Sequence, residues 1–398
     1  MGVRVLAAAV LALALVVAPA GAAVPSDLSS DRLDRAALLT LPSVYRIDVV
    51  LHVDALRTAD GERVPLPPRA RTLPESGTAF AVSPDGWLAT AAHVAAPDPA
   101  SVARLAYQSM RAVGGGARDD QAAADWVAAN GARPIGYERV SVTVRQASAG
   151  EGGPKPRTFR AGAVVADRTA DLALVRIEAS GVPALALDEA ASAGTPVVTL
   201  GFGRGSSLSE HGEEDLGDLD PAVRRGLLSR TGLLLDEVPE RQALAISVPV
   251  QRGDSGAPVV DGSGLVRGVV IRTASGGGIA ESATQLRLLI ASRGAAPAPG
   301  AAAERFREAM DAFWRRDYVG ALRGLDATSA AFPAHTLAPR EAARAAALAD
   351  GRFHLEGSRR LQGTLLAVGA VAAALALACA LALLSAARSR GGSGGGGR

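Results

Sequence analysis

Apolar and polar residues alternate with the two-residue period of β-strands over much of the chain between residues 44 and 294. Residues 45–53 and 78–82 follow this pattern, and a Ser-Pro-Asp-Gly turn separates the second segment from residues 87–91. Similar short segments recur at residues 140–146, 158–166, 172–177, 196–200, 226–235, 243–248, 257–260 and 265–272. Many short strands joined by Gly- and Pro-containing turns predict a mainly β domain built from antiparallel barrels.

A helical period replaces this alternation in several places. Residues 27–41 predict a short amphipathic helix within an N-terminal arm, residues 24–43, whose possible role as a removable pro-segment stays open. Residues 101–113 and 119–129, separated by three glycines, predict a helical insertion over about residues 99–130. Residues 281–292 fit a closing helix. An Ala/Pro linker, residues 295–303, then leads into a helical segment, residues 304–352.

Two long apolar runs lie near the ends of the chain. Residues 5–17 follow Arg4 and precede several small residues, which predicts a signal peptide over residues 1–23, with an uncleaved anchor as the alternative. Residues 364–387 carry no charge, which predicts a transmembrane helix over residues 361–387 rather than a buried globular helix. We therefore expect a single-pass membrane protein with its body outside the cytoplasm and a Gly-rich cytoplasmic tail, residues 388–398.

Charge and cysteine content narrow the functional classes. The 398 residues include 42 Lys and Arg against 40 Asp and Glu, without a basic block, which argues against nucleic acid as a partner. The single cysteine, Cys379, excludes an internal disulfide. The acidic stretch 210–220 matches no calcium-loop spacing, so we expect a solvated loop there and predict neither a metal nor a cofactor.

Three short motifs carry candidate chemistry. They place His93 after Thr-Ala-Ala, Asp171 before an alternating strand and Ser255 between glycines. A serine hydroxyl becomes a nucleophile when a histidine takes its proton, and a carboxylate then holds that histidine in the correct tautomer. A lone histidine would more often be a core residue, but the three motifs together, in the order His-Asp-Ser, predict a catalytic triad. Asp167 is the competitor for the carboxylate role.

The glycines on either side of Asp254-Ser255 permit a tight backbone turn that exposes the serine oxygen. Such a turn also directs N–H groups toward a negative charge that develops on the substrate oxygen. We therefore predict that the backbone N–H groups of Gly253 and Ser255 form an oxyanion hole.

Residues 77–290 resemble the bacterial trypsin-like serine proteases, and in particular the HtrA/Deg-like type. The matching segments are residues 77–80, 90–94, 171–174, 201–203 and 253–258. The resemblance implies two perpendicular six-stranded antiparallel β-barrels, a chymotrypsin-like double barrel, with the site in the cleft between them. This chain departs from the pattern in its large helical insertion, in Ala257 where glycine is frequent, and in the absence of a recognisable PDZ module after the protease segment.

The same resemblance implies a primary substrate pocket near residues 248–251 and 271–273, with Pro249, Ile271 and Thr273 as candidate lining residues. Pro249 occupies the position six residues before Ser255, where no acidic residue is found, so a preference for Arg or Lys is not supported. A small or aliphatic side chain is expected instead.

Residues 302–348 resemble a tetratricopeptide-like helical hairpin that covers about one repeat, and a helical stalk is an equally good interpretation. This segment, residues 304–352, is a candidate site for a protein partner. Together these patterns predict a membrane-anchored extracytoplasmic serine endopeptidase that cleaves protein or peptide substrates. A catalytically latent or inactive sensor or binding protein with the same fold is the alternative. An esterase fits less well, because the motif order is His-Asp-Ser and the body of the chain has no Gly-x-Ser-x-Gly elbow.

Overall fold

The computed structural model describes residues 28–148, 150, 154–203, 220–234, 242–349, 369–379 and 381–382. The predicted signal peptide, the cytoplasmic tail, most of the acidic stretch 210–220 and roughly half of the apolar run 364–387 lie outside these residues. Within the described ranges, no helix combines the length and the apolar character that crossing a bilayer requires.

Six antiparallel strands close into a first barrel in the order β1-β4-β5-β9-β8-β7. Alternation produces this barrel, as β1 illustrates: Tyr45, Ile47, Val49 and Leu51 are fully buried, whereas the residues between them are partly exposed. The strands are β1 (Val44–His52), β4 (Thr72–Ala81), β5 (Trp87–Ala91), β7 (Glu138–Gln146), β8 (Thr158–Asp167) and β9 (Leu172–Ile177).

A second closed barrel follows in the order β10-β11-β12-β15-β14-β13, so the prediction of two six-stranded antiparallel barrels is confirmed. Its strands are β10 (Pro196–Gly201), β11 (Ala222–Leu234), β12 (Gln242–Ile246), β13 (Pro258–Asp261), β14 (Val266–Ala274) and β15 (Gly277–Ser282). A small three-stranded sheet, which the sequence pattern did not predict, comprises β2 (Ala55–Arg57), β3 (Arg63–Pro65) and β6 (Arg133–Ile135).

One apolar cluster joins the two barrels. Val44, Phe80 and Leu172 of the first barrel pack with Val198 and Val260 of the second, and all five are fully buried. Each such side chain contributes about 1.5–3 kcal/mol to folding. The shared core therefore fixes the position of one barrel relative to the other, on which any site between them depends.

The helices of the described residues are α1 (Leu28–Thr40), α2 (Ala92–Ala95), α3 (Pro99–Val113), α4 (Asp120–Asn130), α5 (Ala283–Ala291), α6 (Ala301–Trp314), α7 (Tyr318–Ala331) and α8 (Ala338–Ala349), together with 3-10 turns at Leu41–Ser43 and Pro68–Ala70. Residues 369–379 and 381–382 are also helical.

Helix α3 begins at a standard N-cap, since Asp98 accepts hydrogen bonds from the N–H groups of Ala100 and Ser101. Tyr107 of α3 stacks on Trp126 of α4 at 4.4 Å between ring centroids, which holds the two inserted helices together.

Helix α1 connects the second barrel to the C-terminal helices. Leu33 and Ala36 are buried in the core that the barrels share, whereas Leu38 packs against the core of α6, α7 and α8. The Arg35 guanidinium lies 4.8 Å from the centre of the Trp314 ring in α6. The arm is thus an integral part of the described structure.

The C-terminal helices contact the first barrel through a buried loop. The Gln146 side chain of β7 donates a hydrogen bond of 2.9 Å to the carbonyl oxygen of Ala334. The next residue, His335, is 1 % exposed and lies 4.6 Å from Phe306 between ring centroids. Burial lowers the pKa of His335 to about 3, because the charged imidazolium would have to leave water.

Candidate active site

His93 lies just beyond strand β5, on the short helix α2, in what we call the histidine corner (residues 90–95 with Asp171). Ala91 and Ala92 are buried, and their small side chains let the backbone pack closely behind the imidazole. His93 Nδ1 lies 2.8 Å from Asp171 Oδ2, and the His93 backbone N–H donates to Asp171 Oδ1 at 2.9 Å. One carboxylate therefore fixes both the ring and its backbone. With Nδ1–H directed at Asp171, Nε2 of the neutral ring is the basic nitrogen.

Asp171 lies immediately before β9 in a left-handed backbone conformation, with φ 52°. Aspartate is one of the few residues other than glycine that tolerate this region. Its competitor Asp167 points elsewhere, because its carboxylate accepts hydrogen bonds from the N–H groups of Thr169 and Ala170 and so closes a turn. The structure thus brings Asp171, and not Asp167, to the histidine.

Ser255 lies in the loop of residues 251–257, which we call the nucleophile loop after the role predicted for Ser255. It stands between two glycines with positive φ, Gly253 at 100° and Gly256 at 90°. A Cβ atom on Gly253 would lie 2.2 Å from the Phe202 carbonyl oxygen, and one on Gly256 would lie 2.0 Å from the Thr78 carbonyl oxygen. Both positions therefore require glycine on steric as well as conformational grounds.

Strands from both barrels hold the nucleophile loop in place. The Thr78 N–H of β4 donates to the Ser255 carbonyl oxygen at 2.8 Å, and the Thr78 hydroxyl donates to the Gly253 carbonyl oxygen at 2.8 Å. On the opposite side, the Gly256 N–H donates to the Val270 carbonyl oxygen of β14 at 2.7 Å. These bonds leave the N–H groups of Gly253 and Ser255 without a hydrogen bond among the described residues, as oxyanion donors require.

Asp254 stabilises the nucleophile loop through its contact with β11, a role that the sequence did not predict. Its side chain is 4 % exposed, and Arg224 Nη1 of β11 lies 2.9 Å from both carboxylate oxygens. The Gln251 N–H donates to Oδ2 at 2.8 Å. Burial raises the pKa of Asp254, and the Arg224 guanidinium opposes that shift. A carboxylate that is buried in a loop requires a cation nearby, and this requirement was the signal in the sequence that could have pointed to a partner for Asp254.

The three predicted triad residues line one cleft between the barrels, with a volume of about 610 Å³. Within the described structure, Ser255 Oγ makes no hydrogen bond to His93. Two predicted pocket residues, Ile271 and Thr273, line the cleft, whereas Pro249 is exposed and does not. The cleft residues are Glu75, Ser76, His93, Val94, Ser101, Arg104, Leu105, Gln108, Asp120, Asp171, Gln251, Arg252, Gly253, Ser255, Ile271, Arg272 and Thr273.

Glu75 of β4 is the most buried carboxylate among the cleft residues, with its side chain 17 % exposed against 24 % for Asp171, and the sequence did not predict it. Its burial raises its pKa, and the nearby charges of Arg252, His93 and Arg118 oppose the shift. Arg252, immediately before the predicted oxyanion residue Gly253, lies 3.4 Å from Glu75. Across the described ranges, no three His, Cys, Asp or Glu side chains come together as a metal site would require.

Comparison with known proteins shows which family and which solved structures this chain is similar to. Residues 77–269, which include all three triad candidates, match the family described as trypsin-like peptidase domain. Two crystal structures of the Rv3671c protease are similar. The active form from M. tuberculosis is 22 % identical, with 71 % of this chain and 97 % of that chain covered and a TM-score of 0.41. The inactive form is 21 % identical, with 69 % and 100 % covered and a TM-score of 0.40.

No curated protein matches this chain significantly. This chain is therefore similar, over residues 77–269, to the trypsin-like peptidase domain family.

Proposed function

We propose that this protein is a serine endopeptidase in which Ser255 is the nucleophile, His93 the general base and Asp171 the residue that orients the histidine. One observation carries the proposal: the 2.8 Å contact between His93 Nδ1 and Asp171 lies in the same cleft as Ser255. The contact directs the basic nitrogen of the ring away from Asp171. A serine in that cleft can then lose its proton as it attacks.

The reaction proceeds in two halves. In the first, His93 Nε2 takes the Ser255 hydroxyl proton while Oγ bonds to the peptide carbonyl carbon. The oxyanion accepts hydrogen bonds from the Gly253 and Ser255 N–H groups, and Asp171 stabilises the imidazolium. His93 then gives its proton to the leaving amine as the C–N bond breaks. In the second half, His93 activates a water that cleaves the acyl-enzyme by the same steps.

The residue before the scissile bond would place its side chain against Ile271 and Thr273. No carboxylate stands among the cleft residues contributed by β14, and Arg272 lies between these two. This composition disfavours a basic substrate side chain and favours a small or aliphatic one.

We further propose that the protein is anchored in the membrane with the peptidase outside the cytoplasm. This proposal rests on the uncharged run 364–387 and on the signal-like N-terminus. Fractionation of cells that express the full chain, and of cells that express a variant ending at Gly357, tests it. The full chain should pellet with membranes, and the shortened chain should not.

The helical segment 304–352 is a candidate partner site, but its contacts favour a structural role. Phe306, Phe313 and Leu325 form a core of their own, and Leu38 and Leu39 of α1 pack against that core. The inner faces of these helices are therefore already covered within the chain.

A catalytically latent protein is the second candidate, and the missing hydrogen bond between Ser255 and His93 favours it. Apo sites often have longer catalytic distances than complexes do. Fluorophosphonate labelling of the full chain, with S255A as control and casein digestion in parallel, separates the two. Labelling and digestion that both vanish in S255A support the endopeptidase, and a folded chain without labelling supports the latent protein.

A further inference from the structure

Helix α3 of the insertion forms a polar wall of the catalytic cleft. Its cleft residues, Ser101, Arg104, Leu105 and Gln108, share one helical face because they are three or four positions apart. The opposite face carries buried apolar residues, Val102, Ala103 and Ala106, which pack into the core of the first barrel. The insertion therefore presents the polar side chains of Ser101, Arg104 and Gln108 to any molecule that occupies the cleft.

The proposed mode of substrate binding puts this wall on the leaving-group side of Ser255. The nucleophile loop is held between β14, where Gly256 bonds to Val270, and β4, where Thr78 bonds to Ser255. If the substrate residue before the scissile bond contacts β14, as proposed above, the chain after the scissile bond runs along β4 and α3. A crevice that continues from the cleft between these two elements is lined by Leu73, Pro74, Glu75, Leu105, Gln108, Ser109, Arg118 and Arg252.

The carboxylates of this region already have partners within the protein. Glu75 contacts Arg252 at 3.4 Å, and Asp120 contacts the same guanidinium at 3.7 Å and also the Gln108 side chain. Asp98 caps α3 with hydrogen bonds of 2.8 Å and 3.0 Å, and Asp119 caps α4 at 3.0 Å. Each of these carboxylates therefore has a partner within the protein.

Two arginines of the same region, in contrast, are exposed and accessible to a ligand. Arg104 lines the cleft and donates only to the Ser101 hydroxyl, at 2.8 Å, and Arg118 lines the crevice beyond Arg252. Both are exposed, and among the residues that the structure describes neither forms an ion pair. A guanidinium binds a carboxylate through two parallel N–H groups, so each of these side chains suits an acidic ligand.

We propose that Arg104 and Arg118 select polypeptide substrates that carry Asp or Glu within the first three positions after the scissile bond. This inference rests on the proposed peptidase function. Arg104 would contact the acidic side chain nearer to the scissile bond, and Arg118 the one farther along. Because both arginines are exposed, each contact is worth a few-fold, and together they give roughly a tenfold preference that weakens as salt concentration rises.

Quenched-fluorescence peptides test the proposal with the full chain. Three peptides share one sequence before the scissile bond and carry Glu, Gln or Lys at the second and third positions after it. We expect kcat/KM to fall in the order Glu, Gln, Lys. The double variant R104Q/R118Q should bring the Glu-to-Gln ratio close to one. The double variant R293Q/R305Q removes the same charge from exposed positions that line neither the cleft nor the crevice, and it should keep the ratio.

Binding to S255A separates the two proposals. Fluorescence anisotropy with the same peptides reports the preference without turnover, and R104Q/R118Q in the S255A background should abolish it. Equal rates or equal affinities for the Glu and Gln peptides overturn the selectivity, as does a preference that survives in R104Q/R118Q. If no peptide is hydrolysed while S255A still binds the Glu peptide more tightly through these arginines, the peptidase proposal fails and the acidic preference stands.

Discussion

The histidine corner of the first barrel and the nucleophile loop of the second each depend on one aspartate, and the two aspartates have different surroundings. Asp171 is 24 % exposed and contacts a histidine that is 39 % exposed. Asp254 is 4 % exposed and contacts an arginine that is 16 % exposed. Both carboxylates accept backbone hydrogen bonds as well as a side-chain contact.

This difference in exposure matches the role that we propose for the partner of each aspartate, His93 and Arg224. A histidine that acts as a general base gains and loses a proton in every cycle, so its charged form must not be expelled by burial. The arginine beside Asp254 never loses its proton, and a buried pair with it holds the nucleophile loop in one geometry. In the proposed mechanism the first barrel thus holds the residue that transfers protons, and the second holds a fixed support for the nucleophile loop.

The largest expected effect is on activity at the histidine corner. Asp171→Asn keeps the size of the side chain, and asparagine tolerates the left-handed backbone, so the fold should persist. The amide cannot hold the histidine in the correct tautomer, and kcat should fall about 10⁴-fold. Peptide hydrolysis and thermal unfolding, measured together, check this.

Asp167→Asn is the matched control, because asparagine can still close the turn that Asp167 closes. It should retain nearly full activity. Equal losses in the two variants would remove the distinction between these aspartates.

A loss of stability is expected at the nucleophile loop. Arg224→Met leaves the Asp254 carboxylate buried without its cation, which costs about 3–5 kcal/mol of unfolding free energy. Adding Asp254→Asn should recover part of the loss. Denaturant unfolding measures both.

Arg225 provides the control, since it is the next residue and pairs with Asp34, with both side chains 51 % exposed. Arg225→Met should cost less than about 1 kcal/mol. If the Arg224 and Arg225 variants were equally stable, the buried pair would not be the support of the loop.

One glycine of the nucleophile loop, Gly256, can be compared with a glycine outside the loop, Gly276. Gly256→Ala puts a methyl group 2.0 Å from a backbone oxygen, whereas Gly276, with φ 78°, has nothing within 4 Å of the same position. Both variants strain the backbone, but only the first creates a clash. We expect Gly256→Ala to be about 1–3 kcal/mol less stable than Gly276→Ala in urea unfolding. Equal stability would contradict the steric argument.

The last expected effect concerns a histidine outside the cleft. The pKa of His335 is about 3 in the folded protein, below its value of about 6.5 in the unfolded chain. The unfolded state therefore binds a proton first as pH falls, and stability is lost between about pH 6.5 and 3, by up to about 1.4 kcal/mol per pH unit.

His335 Nδ1 accepts a hydrogen bond from the Ala338 N–H. His335→Asn is the test variant, because the asparagine side-chain oxygen can accept the same bond. Urea unfolding of both proteins at pH 6.5 and 4.5 should show a smaller loss in the variant. Parallel losses would mean that other groups carry the acid sensitivity.

Alternating strands are a short-range signal, so the sequence was sufficient for a mainly β fold of antiparallel barrels. The pairing of two six-stranded barrels with one cleft between them came from the family resemblance. The sequence could not identify Arg224, since β11 carries Arg224 and Arg225 side by side and only the strand register turns the first toward Asp254. The small sheet escaped notice because its three strands have three residues each, too few to display a period.

The helical insertion was predicted as an excursion, and its position as a cleft wall was not. Periodicity shows that α3 has one apolar face, but which cavity receives the opposite face depends on how the loop returns to the barrel. Pro249 does not line the cleft for a similar reason: counting back from Ser255 gives a position in the sequence and leaves the direction of the backbone open.

The contact between Arg35 of α1 and Trp314 of α6 joins residues at nearly opposite ends of the described chain. Contacts of such long sequence separation form late in folding, because the loop that they close is large. During synthesis, α1 leaves the ribosome long before α6 does and has to wait without this partner. We therefore expect docking of the C-terminal helices on α1 to be among the last events of folding, so that a chain interrupted before α6 exposes Leu38 and Leu39 of its own first helix.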